Sequence, residues 1–426
     1  MRFVVIGISD KATPWFPPEV LNIISRGRVF SGGRRHHDIV APLLPHGAAW
    51  IDITVPLDAV FEQYRRGAGG EVVVFASGDP LFFGFANTIR REMPEAEMVL
   101  YPSFNSLQLL AHRLLMPYHD MRIVSLTGRP WPELDRALIE RAPKIGILTD
   151  REHTPAAIAR RLIDYGYTSY TMHVGEHLGN PAAERVTTQP LEAAATRQFT
   201  TPNCVILSAS VSLPLSRLCS GVAAAPISPA AALPPRPFGI ADSSFALLDG
   251  REKMITKMPI RLLTLQALDL PRHTVLWDIG ACTGSVSIEA RLLFPHLHVV
   301  AFEIRPECEA IITANCRRHG APGIDVHIGD FLTIPLPQGE GAGEGLPDAV
   351  FIGGHGGRLK EIMARVLTVL PSGGVIVMNS VKAPRVTTDS RQLWDDACRE
   401  LGLHQEPPLH IQLNEHHPIT ILKCKK

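Results

Sequence analysis

Short apolar runs alternate along the chain with longer segments in which apolar and polar positions recur at helical spacing. The runs have the length of buried strands, and the segments between them have the length of helices. In the first half the pattern predicts strands at Phe3–Ile6, Trp50–Ile53, Glu71–Ala76, Glu97–Tyr101, Arg122–Leu126, Ile145–Thr149, Ser169–His173 and Cys204–Leu207. It predicts helices between several of them, including Leu81–Glu92, Ser106–Leu115 and Pro155–Tyr165.

The second half shows the same alternation. Strands are predicted there at Val275–Ile279, His298–Glu303, Asp325–Ile328, Ala349–Ile352, Gly374–Asn379 and Ile419–Lys423. Strands that alternate with helices form open, mostly parallel sheets with right-handed crossovers, so we predict an α/β fold class for both halves. Such sheets bind ligands at the carboxyl ends of their strands, and functional residues are expected there.

A segment rich in proline and alanine divides the chain. At 426 residues the chain is long enough for two domains. Residues 211–237 carry few charges and end in Pro234-Pro235-Arg236-Pro237, and repeated prolines impose an extended geometry. We therefore predict domains at 1–210 and 238–426 with a semi-rigid linker at 211–237. A second low-complexity stretch, at 338–345, is predicted to be a flexible surface loop.

Charge and cysteine content narrow the class of protein. Lysine plus arginine and aspartate plus glutamate both number 42, and this zero net charge argues against a protein that coats nucleic acid. The seven cysteines include no C-x-x-C pair, which is typical of reduced thiols in a cytoplasmic protein. We find neither a signal peptide nor an apolar stretch long enough to cross a bilayer, so no membrane partner is expected.

Three pairs of histidines in the sequence are candidates for metal ligands. His173 and His177 have a zinc-site spacing that requires a helix, whereas residues 170–174 predict a strand and Gly175 would break a helix. His36–His37 and His416–His417 are predicted to be exposed or in loops. We therefore expect no metal site.

The strongest chemical signal is a strand that ends in an acid and turns through glycines into a helix, at residues 275–290. Asp278 can attract a cation, Glu303 can accept hydrogen bonds from ribose hydroxyls, and Asp330 can meet an adenine amino group. A dinucleotide site is an alternative, although Cys282 stands where its motif has a second glycine; a plain turn is another. The candidate adenosine-binding residues are Asp278, Gly280, Ala281, Thr283, Gly284, Ser285, Glu303 and Asp330.

This motif, together with segments 351–359 and 378–381, resembles the precorrin methyltransferase domain that methylates C15 and removes a carboxyl group. Residues 254–257 also match, and the resemblance extends from about Phe238 to the C-terminus. It implies a Rossmann-like (class I) methyltransferase sheet that binds S-adenosylmethionine. It also implies that a glycine-rich loop binds the substrate, although a flexible loop and a helix-surface role for its arginine are alternatives. The implied substrate residues are Gly353, Gly354, His355, Gly356 and Arg358.

The first half carries a strand followed directly by Gly78-Asp79-Pro80, in which Pro80 is expected in the first turn of the next helix. This turn resembles a signature of the tetrapyrrole methyltransferases. Supporting runs, over about residues 1–210, are Pro102–Gln108, Ser125–Arg129, Gly175–Gly179 and Pro202–Leu207. The resemblance implies a class III methyltransferase fold of two α/β subdomains. It implies a second S-adenosylmethionine site at Gly78, Asp79, Pro80, Phe82 and Ser106.

One departure concerns the opening loop, Ile6–Asp10, which has a single glycine, Gly7, where the family is rich in glycine and proline.

Together the two resemblances imply a fused enzyme of cobalamin biosynthesis. Such an enzyme uses S-adenosylmethionine to methylate a precorrin at C5 and C15 and to remove the carboxyl group of an acetate side chain. The expected partner is a small-molecule tetrapyrrole, without nucleic acid, and a homo-oligomer is expected.

Two other functions stay open at this point. One is an RNA methyltransferase, which should carry a basic face or an attached RNA-binding module. The other is a single-site precorrin methyltransferase whose N-terminal half is only a scaffold. The residue pattern assigns no catalytic acid or base.

Overall fold

Three β-sheets carry the part of the chain described by the structure, a computed structural model that covers residues 1–11, 13–67, 70–209, 236, 238–337, 345–381, 390–412 and 419–426. These residues divide into two units. The first comprises Met1–Pro130, Ala142–Ile163 and the described residues from Thr168 to Ala209. The second comprises Trp131–Arg141, Asp164–Tyr167 and the described residues from Arg236 to Lys426.

Several predictions fall outside the described residues. They are the linker apart from Arg236, the low-complexity loop apart from Gly345, and the pair His416–His417. The domain bounds deduced from the sequence stay a prediction. Among the described residues, no helix is both long enough and apolar enough to span a bilayer.

The first sheet of the first unit is parallel throughout. Its strands are β1 (Arg2–Ile8), β2 (Val29–Gly32), β3 (Ala49–Asp52), β4 (Glu71–Ser77) and β5 (Glu97–Tyr101). They lie in the order β3-β2-β4-β1-β5. Alternate residues of β1 enter cores on opposite faces, with Phe3 and Val5 on one face and Val4 and Ile6 on the other. Because β1 and β4 are adjacent and parallel, their carboxyl ends meet at one edge of the sheet.

The second sheet of this unit is mostly antiparallel. Its strands are β6 (Arg122–Ser125), β7 (Lys144–Leu148), β8 (Tyr170–Glu176), β9 (Arg185–Pro190) and β10 (Asn203–Ala209), in the order β6-β7-β10-β8-β9. Only β6 and β7 pair in parallel. The prediction of mostly parallel sheets was wrong here. The connection between β8 and β9 is too short for a helical crossover, and a short connection permits antiparallel pairing.

Eight helices are described between residues 1 and 209. They are α1 (Pro18–Arg26), α2 (Arg34–Val40), α3 (Asp58–Arg66), α4 (Phe85–Glu92), α5 (Ser106–Arg113), α6 (Pro132–Ile139), α7 (Pro155–Asp164) and α8 (Leu191–Ala195). The predicted helix Leu81–Glu92 begins only at Phe85, because Phe83 has a positive φ of 54° and Gly84 is extended. Pro80 consequently lies in the turn before α4 and not in its first turn. His36 and His37 lie within α2 and are half-buried, which corrects their assignment to exposed or loop positions.

The second unit has one sheet, in the order β13-β12-β11-β14-β15-β18-β16, with β17 paired to β18. Its strands are β11 (Val275–Ile279), β12 (His298–Glu303), β13 (Ile324–Ile328), β14 (Ala349–Ile352), β15 (Val375–Val381), β16 (His404–Gln405), β17 (Leu409–Ile411) and β18 (Ile419–Lys425). The strands from β13 to β15 are parallel, and β18 is antiparallel to β15. The α/β class is confirmed.

The chain order reverses at β11, which lies between β12 and β14, and this switch point opens a crevice at the carboxyl edge of the sheet. Val275 and Trp277 of β11 pack into the core on one face, and Leu276 packs into the core on the other. The α-helices among the described residues from 238 onward are α9 (Met258–Ala267), α10 (Ser285–Leu293), α11 (Glu307–His319), α12 (Leu359–Leu367) and α13 (Ser390–Glu400).

Candidate functional site

A tight loop connects β11 to α10 at the switch point of the second unit. The amides of Gly280 and Ala281 both donate to the Phe302 carbonyl, at 2.8 and 3.1 Å. Gly280 has a φ of +80°, and a Cβ there would lie 2.7 Å from the Gly354 nitrogen. Gly284, just before the helix, has a φ of +71°. The predicted glycines are therefore required by the backbone, independently of any ligand.

Cys282 occupies the middle of this loop with a φ of +52°, a conformation that L-residues rarely adopt. Its amide donates to Glu303 Oε2 at 2.8 Å. A glycine would adopt this backbone more easily. The cysteine nevertheless makes the turn, so the loop keeps its path without a glycine at this position.

Asp278 is buried at the end of β11, with 1% of its surface exposed. Its Oδ2 accepts hydrogen bonds from the Ser287 amide at 3.2 Å and from the Ser287 hydroxyl at 2.6 Å, so the carboxylate caps the start of α10. Burial raises the pKa of Asp278 from 3.8 to about 6. Oδ1 is buried and has no hydrogen-bond partner among the described residues. One carboxylate oxygen is thus left for an outside donor or cation.

A second unused polar atom lies on the same loop. The Oγ1 of Thr283 is buried and also lacks a partner in the part of the chain that the structure describes. Buried polar groups without partners are uncommon, and such a group calls for a water or ligand. The two atoms fit the cationic amino-acid end of the expected methyl donor. Ala281 and Ser285, the other loop residues in the prediction, are buried beside them.

Glu303 closes β12 next to this loop, as the sequence predicts, but its carboxylate already has protein donors. Oε1 accepts from the amide and the Nε of Arg305, at 3.0 and 2.8 Å. Oε2 accepts from the Cys282 amide at 2.8 Å and from Arg305 Nη2 at 3.0 Å. Burial would raise the pKa of Glu303, but the hydrogen bonds from Arg305 and Cys282 outweigh burial and lower it. The carboxylate stays ionised, and Arg305 is a site residue that sequence reasoning missed.

Asp330 and Arg358 are brought together, although the sequence assigned them to different ligands. Asp330 follows β13, and its Oδ1 accepts from the Leu332 amide at 3.0 Å. Its Oδ2 accepts from Arg358 Nη1 at 2.8 Å. The hydrogen bond from Arg358 is the largest cause that lowers the pKa of Asp330. Asp330 and Arg358 are therefore already hydrogen-bonded to each other. A ligand that binds either side chain must share it with this protein partner.

The glycine-rich loop after β14 is anchored at one end and open at the other. The Gly353 amide donates to the Ile279 carbonyl at 2.8 Å, which fixes the loop against β11. A Cβ added at Gly354 or Gly356 would meet nothing within 4 Å. His355 Nδ1 accepts from the Gly357 amide at 3.1 Å, and burial lowers the pKa of His355. His355 is accordingly a neutral hydrogen-bonding group near pH 7, in contrast to Arg358.

The first unit contains a cavity of about 540 Å³ at the carboxyl ends of β1 and β4. Of the residues predicted to bind the donor there, Gly78, Phe82 and Ser106 line the cavity and Asp79 and Pro80 do not. Asp79 Oδ1 accepts from the Leu81 amide at 2.9 Å, so this side chain shapes the turn.

Gly78 holds a close crossing of two strand ends. It has a φ of +60°, and a Cβ there would lie 2.7 Å from the Asn105 Cα. A Cβ on Gly7 would lie only 1.8 Å from the Gly78 carbonyl oxygen. The single glycine of the opening loop therefore stands at the one position of that loop where the neighbouring backbone leaves no room for a side chain.

Asp10, Arg35 and Ser77 also line the cavity, and the sequence did not assign them to the donor site. Asp10 accepts from Arg35 Nη1 at 2.7 Å and bonds His177 Nδ1 at 2.9 Å. Arg35 Nη2 donates to the Ser77 hydroxyl at 2.8 Å. The Oγ of Ser125 lines the cavity, is buried and has no partner within the described ranges. No single motif links these residues, because they come from five separate segments of the chain.

His173 and His177, the candidate zinc ligands, bond different partners. His173 lies in β8 and bonds the hydroxyls of Thr188 and Ser208, at 2.8 and 2.9 Å. His177 follows the strand and bonds Asp10. The strand predicted for this segment is confirmed, so His173 lies in a strand and His177 just after it, and the two do not share a helical face.

Comparisons with known proteins match both halves. A family model described as tetrapyrrole (corrin/porphyrin) methylases matches residues 2–195, and one described as a precorrin methyltransferase domain matches residues 249–406. A precorrin-6Y C(5,15)-methyltransferase (decarboxylating) of Sinorhizobium sp is 33% identical over 401 residues, which are 93% of this chain and 88% of that protein.

Two shorter relatives each cover less than half of the chain. A cobalt-precorrin-6B C(15)-methyltransferase (decarboxylating) of Salmonella typhimurium is 34% identical over 187 residues, 42% of this chain and 93% of its own length. A cobalt-precorrin-7 C(5)-methyltransferase of the same organism is 25% identical over 174 residues, 41% of this chain and 84% of its own length. Along most of its length the chain is thus similar to an enzyme named for methylation at both C5 and C15. Over parts of its length it is similar to enzymes named for methylation at only one of these carbons.

Proposed function

Because the chain belongs to the family of precorrin-6Y C5,15-methyltransferases (decarboxylating), we propose that its two units divide the two methylations of one corrin precursor between them. The chain is an S-adenosylmethionine-dependent methyltransferase of cobalamin biosynthesis whose substrate is a small-molecule tetrapyrrole. The second unit methylates C15 and removes the carboxyl group, and the first unit methylates C5. The domain bounds 1–210 and 238–426 belong to this proposal.

The second unit's role is supported by the loop between β11 and α10. Asp278 Oδ1 and Thr283 Oγ1 are buried without partners, and they take the ammonium and carboxylate end of the donor. Glu303 accepts from the ribose, and Asp330 accepts from the adenine amino group. Gly280, Ala281, Gly284 and Ser285 form the loop that lets the donor approach the backbone. This pair of unused atoms is the single observation that carries the proposal.

The substrate of the second unit lies against the glycine-rich loop after β14. Gly353, Gly354 and Gly356 present backbone to a flat macrocycle. Arg358 and His355 receive its acidic side groups, Arg358 by charge and His355 as a neutral hydrogen-bonding group. The donor supplies an electrophilic methyl group, and the chain's contribution is to hold the ring carbon in line with it, which can contribute about 7–11 kcal/mol. No acid or base is assigned.

The first unit's role is supported by its cavity. Gly78, Phe82 and Ser106 line it, and Asp79 and Pro80 hold the turn that shapes one wall. The buried, unpartnered Ser125 hydroxyl supplies a hydrogen bond that a bound donor can use. A half that was only a scaffold would have no need of this cavity.

Turnover and stoichiometry test the proposal. The full chain is incubated with the corrin precursor and S-adenosylmethionine, and the product mass is expected to show two methyl groups gained and one carboxyl group lost. Calorimetry with S-adenosylhomocysteine is expected to show one site per unit. A single site on the chain would leave the first unit as a scaffold, and absence of corrinoid turnover would refute the assignment.

Homo-oligomerisation also stays a prediction, and sedimentation of the purified chain tests it.

A further inference from the structure

The lining of the first unit's cavity carries a net positive charge. Its charged lining residues, among those that the structure describes, are Asp10, Arg35 and Arg129. His36 also lines it, but burial and the neighbouring Arg35 lower the pKa of His36 to about 4, so it is neutral near pH 7. Two guanidinium groups thus face one carboxylate. A cationic methyl donor gains no attraction from this net charge, whereas an anion does.

Arg35 is held in a defined position with donors to spare. Its Nη1 is 2.7 Å from Asp10 Oδ1 and its Nη2 is 2.8 Å from the Ser77 hydroxyl, while 39% of its side chain is exposed. A guanidinium has five N–H donors, and these two contacts use two of them. The planar fork suits a carboxylate, which it can bind through two parallel hydrogen bonds.

Asp10 links this arginine to the second sheet of the same unit. Its other oxygen bonds His177 Nδ1 at 2.9 Å, and His177 follows β8. Asp10 is largely buried, with 10% of its side chain exposed. The carboxylate therefore orients Arg35 and connects α2 to the segment that follows β8. Ser77, the second partner of Arg35, precedes the Gly78 turn, so the guanidinium lies beside the predicted donor site.

We propose that Arg35 binds a side-chain carboxylate of the corrin precursor in the first unit, and that Asp10 is the residue that positions it. The inference rests on the proposed function, which makes the substrate a macrocycle bearing acetate and propionate groups. It assigns Arg35 to the substrate and the neighbouring lining at Gly78 and Ser106 to the donor. Arg35 then sets which face of the ring meets the methyl group.

Steady-state kinetics on full-length variants test the assignment. Arg35→Gln is expected to raise the KM for the corrin precursor in C5 methylation by about 10- to 100-fold, the range for a lost charged hydrogen bond, with donor affinity unchanged within about twofold. Arg35→Lys is expected to fall between the variant and the native chain, because it keeps the charge and loses the fork. Asp10→Asn is expected to raise the same KM by a smaller factor of about 3 to 10.

Arg34→Gln is the matched control, because Arg34 precedes Arg35 in α2, is exposed and does not line the cavity. It should leave the KM unchanged. Retained binding of S-adenosylhomocysteine by Arg35→Gln shows that the variant is folded. If Arg35→Gln weakened donor binding, or left the corrin KM unchanged while the native chain turned over, the inference would be wrong. If the native chain failed to methylate the precursor at all, the proposed function would fail instead.

Discussion

The two candidate donor sites have the same outline but opposite chemistry. Each follows a strand into a glycine turn and then toward a helix, β11 to α10 in the second unit and β4 to α4 in the first. The second site is built from buried acids, Asp278 and Glu303. The first has two arginines, Arg35 and Arg129, and one carboxylate, Asp10, in the described lining of its cavity, and its turn aspartate, Asp79, bonds the backbone and does not line the cavity.

This contrast teaches how one cationic ligand can be bound in two ways. We propose that the second unit attracts it with negative charge in a buried setting, so its binding should depend on the ionisation of Asp278. We propose that the first unit recognises it by backbone shape and uncharged hydrogen-bonding groups, with its charged groups left for another ligand. The two sites should consequently respond differently to loss of shape, loss of charge and pH.

The largest expected effects come from reciprocal glycine substitutions. Gly280→Ala and Gly78→Ala each place a Cβ 2.7 Å from neighbouring backbone at a positive φ. Each should abolish donor binding in its own unit, a loss above about 100-fold, because strain and overlap deform the loop. Calorimetry with S-adenosylhomocysteine should then find one remaining site in each variant.

Glycines with the same backbone strain but no overlap serve as controls for this pair. Gly47 has a φ of +76° and Gly402 a φ of +69°, and a Cβ at either would meet nothing within 4 Å. Gly47→Ala and Gly402→Ala should therefore keep both sites. Loss of both sites from either reciprocal variant would contradict the independence of the two units.

The next effect separates charge from shape in the second unit. Asp278→Asn should weaken donor affinity there by about 10- to 100-fold at pH 8, because the cation loses its buried counter-charge. The same change should stabilise the ligand-free chain by about 1–2 kcal/mol, since it removes the cost of burying an ionised carboxylate. Titration calorimetry and thermal unfolding measure the two changes.

Ser287→Ala is the matched control for Asp278→Asn. It removes the 2.6 Å hydrogen bond to Asp278 Oδ2 and leaves the charge in place. It should lower thermal stability and change donor affinity little. An Asp278→Asn chain that bound the donor as tightly as the native chain would show that charge is not what this loop recognises.

Much of the fold and part of the site follow from the sequence alone. Strands such as β11, β12 and β14 are continuous apolar runs buried on both faces, and their predicted bounds match the structure. The strand β9 was missed because its sequence, RVTTQP, has no fully buried position and no apolar run. Antiparallel pairing of β10 depends on contacts between distant segments, and local periodicity carries no information about them.

The site residues divide in the same way. Asp278, Gly280 and Glu303 stand at strand ends, and a strand end can be located from the sequence. Arg305 and Arg35 became visible only as partners of carboxylates, since an arginine outside a motif has no local signature. The turn at Pro80 was placed wrongly because the positive φ of Phe83 has no marker in the sequence.

A pH titration of donor binding sharpens the comparison further. Burial raises the pKa of Asp278 from 3.8 to about 6. Affinity in the second unit should therefore fall by about tenfold per pH unit below pH 6, as the carboxyl group takes up a proton. The contribution to folding has the opposite sign: the ionised group destabilises the fold above pH 6, and this cost is relieved as the pH falls from 6 toward 4.

The first unit gives the internal control for that titration, because the one carboxylate in the described lining of its cavity, Asp10, is already bonded to Arg35 and His177. Its donor affinity should change less than that of the second unit between pH 7 and pH 5. Asp278→Asn should remove the step in the second unit. A step that persisted in this variant would assign the titration to another group.

The smallest expected effect concerns Arg305, which competes with the donor for Glu303. An ionised carboxylate offers about four lone-pair positions, and Arg305 and the Cys282 amide fill four on Glu303. The two amide donors belong to the backbone, so a ribose hydroxyl must displace the guanidinium. Arg305→Met frees those positions and should tighten donor binding by about two- to fivefold at pH 8.

The gain should shrink as the pH falls, because Arg305 is the main partner that lowers the pKa of Glu303, and without it the carboxyl group protonates more easily. A double-mutant cycle with Glu303→Gln isolates this coupling. In the Glu303→Gln background, Arg305→Met should change affinity little, since no carboxylate remains to be released. If Arg305→Met weakened binding at pH 8, the guanidinium would contact the donor directly, and the acids of the second unit would not act alone.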